Sequence, residues 1–82
     1  MPRYFLHVQD GATIAEDLEG SEFRDVEAAR EEAVSAAIEL IIDSLRRRQG
    51  LRLERTIAIA DETGRVVAQV RFEDSVRPGA LS

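Results

Sequence analysis

From Arg3 to Gln9 the side chains alternate, with Tyr4, Leu6 and Val8 on one face and Phe5, His7 and Gln9 on the other, which is the two-residue period of a strand. The run closes on Asp10-Gly11, a dipeptide suited to a hairpin because glycine takes positive φ without strain. Ala12–Ala15 is long enough for only a weak returning strand. Glu16–Arg24 reads as an acidic loop broken at Gly20, with Leu18 and Phe23 as its large apolar residues. From Val26 the period lengthens. At 100° per residue Val26, Ala29, Ala33, Val34, Ala37, Ile38, Leu40, Ile41 and Leu45 share one half of a cylinder, and Glu32, Ser35, Glu39, Asp43 and Arg46 lie opposite, which predicts an amphipathic helix of about six turns over positions 26–48.

The ends of that helix carry their own signals. Asp25 supplies an N-cap oxygen, Glu27, Glu31 and Glu32 complement the positive end of the dipole, and Arg46, Arg47 and Arg48 the negative end. Gly50 is placed to take the left-handed stop. Two further alternating runs follow. Arg55–Ala60 sets Ile57 and Ile59 against Thr56, Ala58 and Ala60, and Arg65–Phe72 sets Val66, Ala68, Val70 and Phe72 against Val67, Gln69 and Arg71. Asp61-Glu62-Thr63-Gly64 joins them as a turn with glycine in the left-handed position. The expected architecture is α+β: a three- to four-stranded antiparallel sheet in β-β-α-β-β order, with one long helix on one face. Residues 1–74 form this single domain, and 75–82, with Pro78-Gly79, read as a flexible tail.

Composition changes this picture in three places. First, 82 residues and one helix leave little apolar surplus over chain entropy, so a homodimer is expected. Second, the absence of cysteine excludes disulfides, thiolate metal sites and a cysteine nucleophile. Third, the net charge of −5 is unevenly spread: residues 1–45 hold eleven acids and three arginines, whereas 46–82 hold eight arginines and five acids. No export signal is visible, and the apolar run 33–42 is broken by Ser35 and Glu39, so no membrane association and a cytoplasmic location are expected.

The candidate chemistry is sparse. His7 is the single imidazole and has no second histidine or nucleophile motif beside it, so it reads as a strand histidine bonded to a neighbour rather than a general base. Glu16, Asp17, Glu19, Glu22 and Asp25 lack the ligand spacing of a calcium loop. The five glycines stand singly, and none forms a phosphate cradle. No catalytic, cofactor-binding or metal-ligating residues are assigned, and no cofactor is expected. Arg46, Arg47, Arg48, Arg52 and Arg55 are the densest basic stretch. They serve either as the solvated end of a helix or as phosphate contacts for nucleic acid, the latter with no helix-turn-helix, zinc-finger or RNA-binding sheet motif to support it.

The opening Met-Pro-Arg-Tyr-Phe-Leu-His-Val-Gln-Asp-Gly, together with Asp17-Leu-Glu-Gly20, Val26-Glu-Ala-Ala-Arg30 and Asp61-Glu-Thr-Gly-Arg-Val-Val67, resembles a family of small bacterial proteins, common in rhizobial alphaproteobacteria, classed as a domain of unknown function. Its members begin MPRYFFHVRDG, and Leu6 here stands in place of the usual phenylalanine. The resemblance covers nearly the whole chain and implies a shared fold with no assigned activity. In layout the chain also resembles the antitoxin half of HicAB toxin–antitoxin pairs, through the strand, the Asp17-Leu18-Glu19-Gly20 turn and the following helix, but the segment Ser75–Ser82 is expected to be too short for the DNA-binding extension those proteins usually add.

Together these features lead to an expected non-enzymatic interaction or regulatory module. It would work through the sheet face around Phe5 and His7, an exposed strand edge, or the acid–arginine asymmetry between subunits. The alternative is a nucleic-acid-associated or antitoxin-like protein using the arginine cluster.

Overall fold

In a computed structural model, which describes residues 1–77, the first alternating run becomes strand β1 (Arg3–Asp10). Gly11, at φ +63°, turns the chain into the short strand β2 (Thr13–Ala15), with Asp10 opposite Thr13 and Val8 opposite Ala15. The segment expected to be entirely loop contributes one more pairing, β3 (Ser21–Glu22), which lies antiparallel to Arg3 and Tyr4 of β1. Helix α1 (Val26–Arg46) follows, then β4 (Thr56–Ala60), β5 (Val66–Arg71) and a single turn of helix, α2 (Phe72–Ser75). All strand pairs are antiparallel, in the order β2-β1-β4-β5, with β3 beside β1. The fold is thus α+β, with a five-stranded sheet if the two-residue β3 is counted.

Alternation sorts the sheet as the pattern demands. Leu6 pairs with Ile59 and Val8 with Ile57 on β4, and Ile57 and Ile59 pair with Val70 and Ala68 on β5. These side chains face α1, whose Ala29, Ala33, Val34, Ala37 and Ile41 complete the core with Phe72. The alanines let the first half of the helix approach the sheet closely, and bulkier side chains fill the far end. On the other face Phe5, His7 and Gln9 stand beside Ala60, Ala58 and Thr56. Ala58 and Ala60 are buried there with no second long helix among the described residues, because their small side chains sit below the level of larger neighbours on β1 and β5.

Both helix ends form as local chemistry dictates, with one reassignment. Asp25 Oδ1 accepts the Ala28 N–H at 2.9 Å, so the N-cap is where the sequence places it. At the other end Gln49 N–H reaches Ser44 O at 2.8 Å and Arg48 N–H reaches Leu45 O at 3.1 Å, the paired bonds of a Schellman motif. The residue they force into the left-handed region is Arg48, at φ +59°, not Gly50, which follows with φ +85°. The helix therefore ends at Arg46 instead of running to 48. Leu45, assigned to the inner arc, is half exposed, and Ser44 is buried in its stead, because a guanidinium enters the core at that level.

The end of the domain also differs from expectation. Phe72 does not finish a strand; it opens α2 and is fully buried. Ser75, expected to begin a flexible tail, is buried, with its hydroxyl donating to Phe72 O at 2.6 Å. The remainder of the expected tail, 78–82, lies outside the described residues. Among the described residues, no helix is long and apolar enough to cross a membrane.

Candidate interaction site

Phe5 and His7 are positioned by β1 on the face away from the helix, their rings stacked at 6.4 Å between centroids. Both are already in use. His7 Nδ1 accepts the Asp17 N–H at 3.1 Å, which occupies the lone pair a general base would need. Asp17 in turn closes a gap along the outer edge of β1. Between the residues paired to β3 and those paired to β2, Leu6 N–H has no strand partner on that side, and Asp17 Oδ2 accepts it at 3.2 Å. Asp17 Oδ1 accepts the Gly20 N–H at 3.1 Å.

Gly20 completes the clamp. A Cβ on Gly20 would lie 2.7 Å from Tyr4 O and 2.8 Å from the Phe5 ring, and its φ is +67°, so only glycine fits. The Asp17-Leu18-Glu19-Gly20 motif is thus a device that seals a strand edge, with Leu18 left 81% exposed at its tip.

The five arginines do not form one surface. Arg55 is buried, with its guanidinium 4.5 Å over the Phe72 ring and Nη2 donating to Ser44 Oγ at 3.1 Å and to Arg52 O at 3.4 Å. Its Nε has no hydrogen-bond partner among the described residues. It is a core cation held by an aromatic face, and its assignment as a phosphate contact is withdrawn. Arg52 is bound by the Asp10 carboxylate and by Glu54, and the hydrogen bond to Asp10 holds its guanidinium pKa above the ordinary value. Arg47 pairs with Asp43 at 3.1 Å. Arg46 and Arg48 make no ion pair among the described residues.

The surface that the sequence reading passed over is the outer flank of α1. Ile38 and Leu45 were placed on the inner arc and Ile42 was not singled out, yet Ile42 and Leu45 are 43% and 50% exposed, and Ile38 is half-buried at the margin of the core. Beside them a shallow concavity is lined by Ala36, Glu39, Leu40, Ile42, Asp43 and Arg46. The ion pairs made by helix charges are Glu27–Arg30 and Asp43–Arg47; Glu31, Glu32, Glu39 and Arg46 have none among the described residues. The signal was present in the sequence as the four-then-three spacing of Ile38, Ile42 and Leu45, but the apolar arc of α1 is wider than the sheet can cover.

The free edge of β5 is guarded. Phe72 N–H turns inward to Arg55 O, so alternation turns the Gln69 and Arg71 backbone groups outward. There Arg30 Nη1 donates to Gln69 O at 3.5 Å, and a register shift opposite Ile59/Ala60 kinks the start of the strand. A bulge and a covering arginine discourage added strands. Among the described residues no group of three His, Cys, Asp or Glu side chains is arranged to hold a metal.

The fold and its surfaces define a small two-layer α+β domain with its polar groups largely committed to its own architecture. The chain belongs to the family of domains of unknown function DUF6894, which it matches over residues 3–73. No curated protein and no solved structure matches it.

Proposed function

We propose that the protein is a non-enzymatic, cytoplasmic interaction module that associates with itself through the outer flank of α1. The observation that carries this reading is the exposure of Ile42 and Leu45, beside half-buried Ile38, along the C-terminal half of the helix. Large apolar side chains grouped on a fixed element favour burial against a protein surface. The absence of catalysis is supported by the state of His7, whose Nδ1 is engaged by the Asp17 amide. The nucleic-acid alternative is weakened by the burial of Arg55 and the pairing of Arg47 and Arg52.

Sedimentation velocity over a wide concentration range tests the proposal. The wild-type chain is expected to exceed the mass of one copy as concentration rises, and the double variant I42S/L45S to remain a single copy with unchanged circular dichroism. A wild-type chain that stays at the mass of one copy throughout rejects self-association.

A further inference from the structure

Ile38, Ile42 and Leu45 recur at intervals of four and three along α1, the spacing of a coiled-coil seam. One position after Ile38 stands Glu39, and one position after Leu45 stands Arg46. Both are exposed and, as shown above, without an opposite charge of their own. They occupy the same heptad position, seven residues apart, so they line one side of the seam. The opposite side of the seam carries Val34 and Ile41, which are buried in the domain's own core. The flank therefore presents an apolar stripe with unmatched charges on the solvent side alone.

We propose, building on the self-association read above, that this stripe packs against the same stripe of a second copy, with the two helices antiparallel about a two-fold axis level with Asp43 and Ser44. Charge selects the direction. A parallel pair would turn Glu39 and Arg46 toward the side of the other copy that carries Val34 and Ile41, which its own core occupies, and leave both charges unmatched. The antiparallel pair sets Glu39 of each copy beside Arg46 of the other, twice over, because flanking charges fix orientation in such pairs. In the same register Ile42 packs on Leu45 of the second copy, and Leu45 on its Ile42. Three apolar side chains from each copy fall short of a standard interface of roughly 800 Å² per partner, so the pair is weak and forms only as concentration rises.

Charge exchange in the full-length chain tests the geometry by sedimentation. E39R alone and R46E alone each replace two attractions by two repulsions and are expected to weaken self-association about tenfold. The doubly exchanged chain E39R/R46E regains it. An equimolar mixture of the two single variants also associates, because arginine at 39 in one chain meets glutamate at 46 in the other, while the unchanged Arg46 of the first and Glu39 of the second meet at the other end of the same side. Circular dichroism of each variant confirms that it is folded. Single variants that associate as tightly as wild type overturn this geometry while leaving self-association standing. Single variants that weaken without recovery in the mixture overturn the antiparallel pairing. A wild-type chain that never exceeds one copy overturns both proposals and leaves the stripe to a different protein.

Discussion

The edge of β1 and the outer flank of α1 are two answers to the same problem, that of an element with one side beyond the reach of its sheet or core. Along β1 the chain spends its own atoms. Strands β2 and β3 pair with the two ends, Asp17 fills the gap between them, and Gly20 presses against Tyr4 and Phe5. Along α1 nothing comparable happens among the described residues: Glu39 and Arg46 make no ion pair there, and Ile42 and Leu45 are exposed. A residue type, an imidazole or an arginine, therefore says less about a working surface than whether its bonding capacity has already been used. By that measure Phe5, His7 and Arg55 are structural, and the helix flank is open.

The comparison breaks most readily at Gly20. Gly20→Val adds a Cβ against a backbone carbonyl and an aromatic ring at positive φ, and is expected to lower unfolding free energy by about 3 kcal/mol, read from urea denaturation. Equal stability of the variant and wild type would show that the clamp is dispensable. Asp17→Ala removes the acceptor of two amides, one of them on a half-buried strand residue, and is expected to cost about 2 kcal/mol by the same measurement. At the helix end, Arg48→Gly relieves a left-handed arginine and is expected to stabilise the domain by about 0.5–1 kcal/mol, seen as a higher thermal midpoint. Ile42→Ser, on the open flank, is expected to leave the stability of the monomer within about 0.5 kcal/mol while weakening association. A large loss of monomer stability there would mean that the flank belongs to the core after all.

Acid acts on a third set of groups. Asp25 is held below the ordinary carboxylate value of 3.8 chiefly by the Ala28 N–H, Asp61 by the Thr63 hydroxyl and Asp74 by the Arg71 guanidinium. A carboxyl with a depressed folded pKa contributes stability that is complete above its unfolded value and is lost as pH falls through the folded one. Their contribution is therefore present above about pH 4 and drains away below it. The urea midpoint is expected to be lower at pH 3 than at pH 5, and Asp61→Asn to narrow that difference slightly. The effect per residue is small because these carboxylates lie at the surface, where water screens them.

Much of the fold was legible because it rests on near neighbours in the chain. The N-cap at Asp25, the Asp61–Gly64 turn and the two-face alternation of β1 and β4 each depend on a few consecutive residues, and each appears where it was read. The Asp17-Leu-Glu-Gly20 block stood out as a motif, but its task did not, because Leu6, His7 and Phe5 meet it only after the chain has turned back. β3 was missed for a similar reason, since two residues carry no period. Arg55 misled because an arginine near other arginines reads as a solvated patch, and nothing local announces that Phe72 and Ser44 will enclose it.

Taken alone, the order of residues determined the number and kind of the main elements, which face of each strand is apolar, and where the long helix begins, all set by periodicity and capping within a few positions. Tertiary structure alone decided which polar groups are consumed and which apolar side chains are left over. The core has room for part of the apolar arc of α1, so Ser44 lies inside while Ile42 and Leu45 remain outside. That allocation depends on where the sheet and Phe72 come to rest, on contacts between residues far apart in the chain, and no local pattern encodes it.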